Sequence, residues 1–257
     1  MDGGEGSFHP QRSTMPTEES HPSSSTIFPE SRLAHLLLDG LEGLEIGPAA
    51  HNPFGLKTRN VGLAADRDPF DYEFFKQSQV EMCGSFATID ISADAADIPV
   101  PDNSSDFVLH SHVWEHLPNP LIALDEWVRI IRSGGYLFVI VPKRDAAASD
   151  KDRPVTSLPS LVQLFEKKRR GETFPPEERG KGRGHYTVFS LDLLREIGHW
   201  FNQSHARARL DEIAFQETDD KVGNGHTIVW QVRKYSAAFG FIRAVFGRFL
   251  ALFLGKK

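Results

Sequence analysis

The chain has 257 residues, 40% of them hydrophobic and 11% aromatic, enough for one packed domain with appendages or at most two small domains. A formal net charge of −6 and a pI near 6.0 lack the basic footprint of a protein that grips nucleic-acid phosphates, so no nucleic-acid partner is expected. The single cysteine, Cys83, excludes an intrachain disulfide and a cysteine-rich zinc site, and points to a reducing, cytoplasmic setting.

Residues 1–28 are rich in Gly, Ser, Pro, Thr and Glu, and are expected to stay disordered because they bury too little surface to offset chain entropy. The start has neither a basic nor an apolar run, so no secretory signal is expected. A folded domain is expected over 29–234. Ser31 to Leu38 predicts a short helix closed by Asp39 and Gly40, and Gly43 to Gly47 a buried strand running into a turn. Strands at 60–65, 86–91 and 107–110 and a helix at 71–79 follow. Leu121, Leu124, Trp127, Val128 and Ile131 recur at helical spacing behind Pro120, which suits a first turn. Gly134 and Gly135 are expected to reverse the chain. Tyr136 to Val141 is apolar throughout, as a central parallel strand covered on both faces requires. Residues 143–189, with a helix at 160–170, read as an insertion over the sheet, a lid or substrate segment. Ser190 caps a helix to Phe201 with Leu191, Leu194 and Ile197 inward, and strands at 209–216 and 226–232 close the domain as an antiparallel hairpin. This alternation predicts an α/β fold with a doubly wound, mostly parallel sheet.

The segment 94–142 carries the most specific pattern. It runs from Asp94-Ala95 through an Ile98-Pro99 turn and an apolar strand beginning at Asp106. The cluster His112, Trp114, Glu115 and His116 comes next, then a helix, Arg132-Ser133-Gly134-Gly135, and the strand to Pro142. In that order and spacing it resembles the second half of a class I S-adenosylmethionine-dependent methyltransferase domain of the type 11 kind. The resemblance extends more weakly over 41–234. It implies a Rossmann-like seven-stranded sheet with an antiparallel last strand, and S-adenosyl-L-methionine as cofactor.

By the same resemblance, Glu45 and Gly47 match the acidic residue and first glycine of the cofactor turn, where backbone must approach the ligand closely. Ala49 and His51 stand where the family has two further glycines. Asp66, after the second strand, matches the residue that binds the ribose hydroxyls; a carboxylate can accept two hydrogen bonds from a vicinal diol. Asp68 is a substitute two residues on. Asp94, followed by Ala95, matches the acceptor beside the adenine amino group, and His110 with Ser111 ends the fourth strand at the ligand-binding edge. Aspartates after strands are also ordinary turn and cap residues. The G-x-G-x-x-G of a nicotinamide oxidoreductase is absent.

Methyl transfer from a sulfonium is an in-line displacement that demands alignment, plus a base when the acceptor is a hydroxyl or amine. His112, just past the fourth strand, and His185, before the helix capped by Ser190, are the candidate catalytic bases. Glu115 and His116 read first as turn-fixing residues, and Trp114 and Trp127 as packing. His112, Glu115 and His116 are metal-ligand types, but no required spacing is met, so no metal site is expected.

Residues 235–257 read as an apolar helix. Arg243 and Arg248 disfavour a membrane span, which leaves an amphipathic helix lying on a membrane surface or packed on the domain or a partner subunit through 236–255. The expected activity is methylation of a small-molecule acceptor, lipid- or glycan-linked acceptors being admitted by the tail, in a cytoplasmic or membrane-peripheral protein. The alternative is a non-catalytic scaffold or regulatory subunit with a degraded cofactor turn.

Overall fold

Seven strands hydrogen-bond into one sheet in the order β3-β2-β1-β4-β5-β7-β6. They are β1 (Gly43–Ile46), β2 (Thr58–Gly62), β3 (Ile91–Ser92), β4 (Ser105–Ser111), β5 (Ile131–Pro142), β6 (Ala208–Gln216) and β7 (Gly225–Lys234). The first five pair in parallel, and β7 runs antiparallel to both β5 and β6. The computed structural model describes residues 26–172 and 184–236. The disordered tail expected at 1–28 therefore lies outside the described residues up to Ser25, and the C-terminal helix does so beyond Ser236.

Side-chain alternation along the central strands builds two apolar layers. Leu44, Ile46, Val108, Leu137, Val139 and Val141 face α3 (Pro120–Ile130), α4 (Leu158–Arg169) and α5 (Leu191–Ser204). Phe107, Leu109, Phe138 and Ile140 face α1 (Arg32–Leu38) and Phe54. Burial on both sides explains why β5 is apolar at every position from Leu137 to Val141. Ser190 caps α5 by accepting from Leu193 N–H at 3.1 Å, and Leu191, Leu194 and Ile197 are buried.

Several local expectations shift. The third strand shrinks to Ile91–Ser92: before it Asp90 N–H still donates to Asn60 O, but the neighbouring bonds run through side chains, Asp90 Oδ2 accepting from Asn60 N–H and Asn60 Nδ2 donating to Thr88 O. The second begins earlier and ends at Gly62. α2 (Pro69–Cys83) is longer than the predicted helix, is capped by Asp68 accepting from Asp71 N–H, and buries none of its residues. As the short, Asn52-Pro53-interrupted connection after Gly47 implies, no helix follows β1; residues 47–57 form a turn and loop. Gly134 and Gly135 lie inside β5 rather than in a separate reversal, since α3 runs into β5 without a loop. The β4–β5 register jumps from Ser105↔Ile131 to Phe107↔Tyr136, and the glycines sit in the resulting bulge, Gly134 at φ 89°. Among the described residues no helix is long and apolar enough to cross a membrane.

Candidate active site

Parallel pairing puts the carboxyl ends of β1 to β4 on one edge, with the strand order reversing between β1 and β4, where open α/β sheets bind ligands. Gly47, Asp66 and Asp94 follow the ends of β1, β2 and β3, and Ser111 is the last residue of β4. Gly47 has φ +64°, and a Cβ there would come within 2.5 Å of Val113 Cγ2, so this turn requires glycine both for its dihedral and for its fit against the segment after β4. Asp66 is exposed, and its Oδ1 accepts from Ser92 Oγ at 2.7 Å, which ties the ends of β2 and β3 together. Asp94 is exposed as well; its Oδ1 accepts from Ala96 N–H at 2.8 Å. Ala95 gives its carbonyl to Trp127 Nε1 at 2.9 Å. Asp68 is taken up as the cap of α2.

The loop after β1 closes over this edge. Asn52 Nδ2 donates to Ser111 Oγ at 3.2 Å, and Gln79 Oε1 accepts from both Ala50 and Ala87 N–H. Ala49 is half-buried and accepts from Asn52 N–H at 2.9 Å. The ring of His51 packs edge-on to Phe28, whose N–H it receives on its carbonyl, so the bulky residue at a glycine position is engaged by the segment before α1. A glycine turn and two exposed carboxylates at successive strand ends fit the donor and acceptor chemistry of an adenosine cofactor.

Two predicted cofactor residues are placed differently. Glu45 alternates onto the Phe107 side of the sheet and is 8% exposed; burial pushes its carboxyl up to about 7, against the pull of Lys221 and a hydrogen bond from Thr58. His110 has no exposed surface and lies between the rings of Trp127 (4.8 Å) and Trp114 (5.9 Å). Burial lowers it to about 3.

Beyond β4 the chain turns sharply. His112 adopts φ 56°, rare for a non-glycine residue, with its N–H bonded to Ile140 O at 3.0 Å. A 3-10 turn, Trp114–His116, follows. Glu115 is fully buried, and burial raises its carboxyl to about 8 despite a hydrogen bond from its own backbone. His112 Nδ1 and His116 Nε2 each stand 3.8 Å from Glu115 Oε1. Burial holds His112 below its ordinary range and His116 at about 4, so both imidazoles are neutral near pH 7.

The insertion supplies the other wall. Tyr186 and Thr187 N–H donate to Glu115 O, and the rings of His185 and His116 meet at 4.7 Å. His185 Nδ1 is bonded to Asp150 Oδ2, and Asp150 Oδ1 accepts from Arg153 at 2.6 Å. Arg153 also donates to the carbonyls of His185 and Tyr186. His112 and His185, far apart in sequence, thus share one corner. Asp150 and Arg153 were not legible as parts of it: an Asp three residues before an Arg in a polar loop has no distinguishing pattern. The apolar groove lined by Leu158, Arg195, His199 and Trp200 involves none of these residues.

Residues 73–139 match the type 11 "Methyltransferase domain" family, a stretch that includes Asp94, His112 and Glu115 but neither Gly47 nor Asp66. Two Mycobacterium tuberculosis proteins, each named as a probable S-adenosylmethionine-dependent methyltransferase, are 34% identical over 65 residues, 25% of this chain and 24% of each relative. The match thus spans about a quarter of the length of those curated relatives. Among solved structures, a SAM-dependent methyltransferase of Aquifex aeolicus is 18% identical over 82% of this chain and 93% of its own, with a TM-score of 0.41. One of Thermotoga maritima is 18% identical over 78% and 86%, with a TM-score of 0.42. These likenesses are too loose to transfer any residue's role. Residues 73–139 are thus similar to the type 11 methyltransferase domain, and the strand order, with its antiparallel β7, is the sheet which that resemblance implies.

Proposed function

We propose that the protein transfers a methyl group from S-adenosylmethionine to a small-molecule acceptor. The observation that carries this reading is the alignment of Gly47, Asp66 and Asp94 at the carboxyl ends of β1, β2 and β3, beside the polar corner that follows β4. Asp66 would take the ribose hydroxyls and Asp94 the adenine amino group, with Gly47 opening the turn to the methionine end. When bound, the cofactor supplies an electrophilic methyl that leaves sulfur without its bonding electron pair. The chain's own task is to hold the acceptor in line and accept its proton. His112, neutral and placed at the end of β4, suits the second role, and the Asp150-bound His185 is the other candidate base. A corner walled by His112, Glu115, His116 and His185 favours a compact acceptor bearing a hydroxyl or amine.

Calorimetric titration with S-adenosylmethionine and S-adenosylhomocysteine tests the reading. Micromolar binding is expected, weakened about tenfold or more by Asp94→Ala, roughly 1.4 kcal/mol. A folded wild-type chain that binds neither would favour the scaffold reading, whose supporting features are Ala49 and His51 at glycine positions and the Asn52–Ser111 bond across the edge.

We read a cytoplasmic protein from its one free thiol, Cys83. We also propose that the apolar segment 236–255, outside the described residues after Ser236, meets a membrane surface or a partner subunit. Co-sedimentation with anionic vesicles, lost when the chain is cut after Lys234, is the expected result for a surface contact. Unchanged sedimentation of the cut chain would remove that branch.

A further inference from the structure

Glu115, His116 and His185 converge: one donor atom of each lies within 4.8 Å of the others. Glu115 is fully buried, and among the described residues neither of its oxygens has a hydrogen-bond partner from another side chain. A buried carboxylate left in that state is costly, and natural proteins resolve such cases with a partner, a water or a cation. His185 is oriented independently. Its Nδ1 is engaged by Asp150, which is 1% exposed and itself held by Arg153. That bond keeps the ring proton on Nδ1 and the lone pair on Nε2, the carboxylate–imidazole pairing that commonly positions a histidine ligand. Arg153 fixes the carbonyls of His185 and Tyr186, and Tyr186 N–H donates to Glu115 O at 2.7 Å, so the arms bearing the donors are bonded to each other.

We infer that Glu115, His116 and His185 form a binding site for one divalent metal ion of the zinc class, with Asp150 as the positioning residue for His185. Two imidazoles and a carboxylate suit zinc or cobalt, whereas magnesium prefers an all-oxygen shell. Bonds of about 2.1 Å place tetrahedral donors roughly 3.4 Å apart. The 3.8 Å between Glu115 Oε1 and His116 Nε2 closes to that by a few tenths of an ångström. Three protein donors leave a fourth position for an oxygen. The consequence, though not the binding, rests on the methyltransferase reading: an acceptor hydroxyl on the ion loses its proton more readily, His112 receives it, and His185 serves as ligand rather than base.

The test uses the full chain, stripped with chelator and titrated with Zn²⁺ by calorimetry and with Co²⁺ by its ligand-field absorption. Mg²⁺ serves as the control and S-adenosylhomocysteine binding is measured in parallel. One ion per chain is expected, with intense cobalt bands and no response to Mg²⁺. His116→Ala and His185→Ala, folded by circular dichroism, should abolish the bands, and Asp150→Asn should weaken affinity by about 10-fold to 100-fold. Glu115→Gln is the companion variant, kept if it folds. Absence of stoichiometric binding, or bands that survive both histidine substitutions, overturns the site. Because the cobalt spectrum needs neither cofactor nor acceptor, a metal-free protein that still binds S-adenosylhomocysteine sinks this inference alone.

Discussion

At the scale of single residues, His110 behaves as an aromatic core residue rather than a polar one. Both of its ring nitrogens lack hydrogen-bond partners among the described residues, and it lies against two tryptophans. Its folded pKa of about 3 lies below the ordinary 6.5, so it favours the fold while neutral. That advantage is full above pH 6.5 and is lost as pH falls toward 3, by about 1.4 kcal/mol per pH unit. His110→Leu keeps a similar volume and removes the titration. Urea unfolding at pH 6.5 and pH 5 should show the wild type losing about 2 kcal/mol more than the variant. Parallel pH dependence in the two proteins would contradict the assignment.

At the scale of elements, what the sequence made legible followed periodicity and burial. α3, α5 and β5 announced themselves because one stripe or both faces are apolar, and their Pro120 and Ser190 start signals are realised. β3 was overdrawn because its apolar letters continue where one backbone bond, Asp90 N–H to Asn60 O, is left among side-chain bonds of Asn60 and Asp90. α2 reads as a helix, yet Phe70 and Phe75 stay exposed, which its composition does not reveal. The glycine pair was noticed for the wrong geometry. A Cβ on Gly135 would stand 2.3 Å from the backbone carbonyl of Asp106, a contact no rotamer change relieves. Gly135→Ala must therefore part β4 from β5 at the bulge, and a loss of at least about 2 kcal/mol is expected by chemical denaturation. At Gly134 a Cβ meets nothing within 4 Å and only the φ of +89° opposes it, so Gly134→Ala should cost less. A reversed ranking would mean the bulge is not held as described.

At the scale of the molecule, residues distant in sequence meet at shared corners, which no local pattern encodes. Asp66 and Asp94 could be nominated as cofactor acceptors from sequence because each follows its own strand, whereas Asp150, Arg153 and Lys221 acquire meaning only through tertiary contact. Lys221, from the loop between β6 and β7, is 3% exposed. Its Nζ reaches the carbonyls of Pro29 and Pro53, stands 4.5 Å from the centre of the Phe54 ring, and attracts Glu45. One ammonium thus joins the segment before α1, the loop after β1 and the terminal hairpin. Burial lowers it to about 8, so its own desolvation cost is constant below that pH. Glu45 titrates at about 7 against an ordinary 4.5, so the fold loses stability as pH climbs through that interval and not below it. Without the lysine's charge the Glu45 carboxyl must rise further and the losing interval must lengthen upward. Lys221→Met should therefore cost more stability at pH 8 than at pH 5, the difference growing through neutrality. Denaturant titrations across that range measure it, and a pH-independent cost would show that Lys221 acts through its contacts alone and leaves Glu45 untouched.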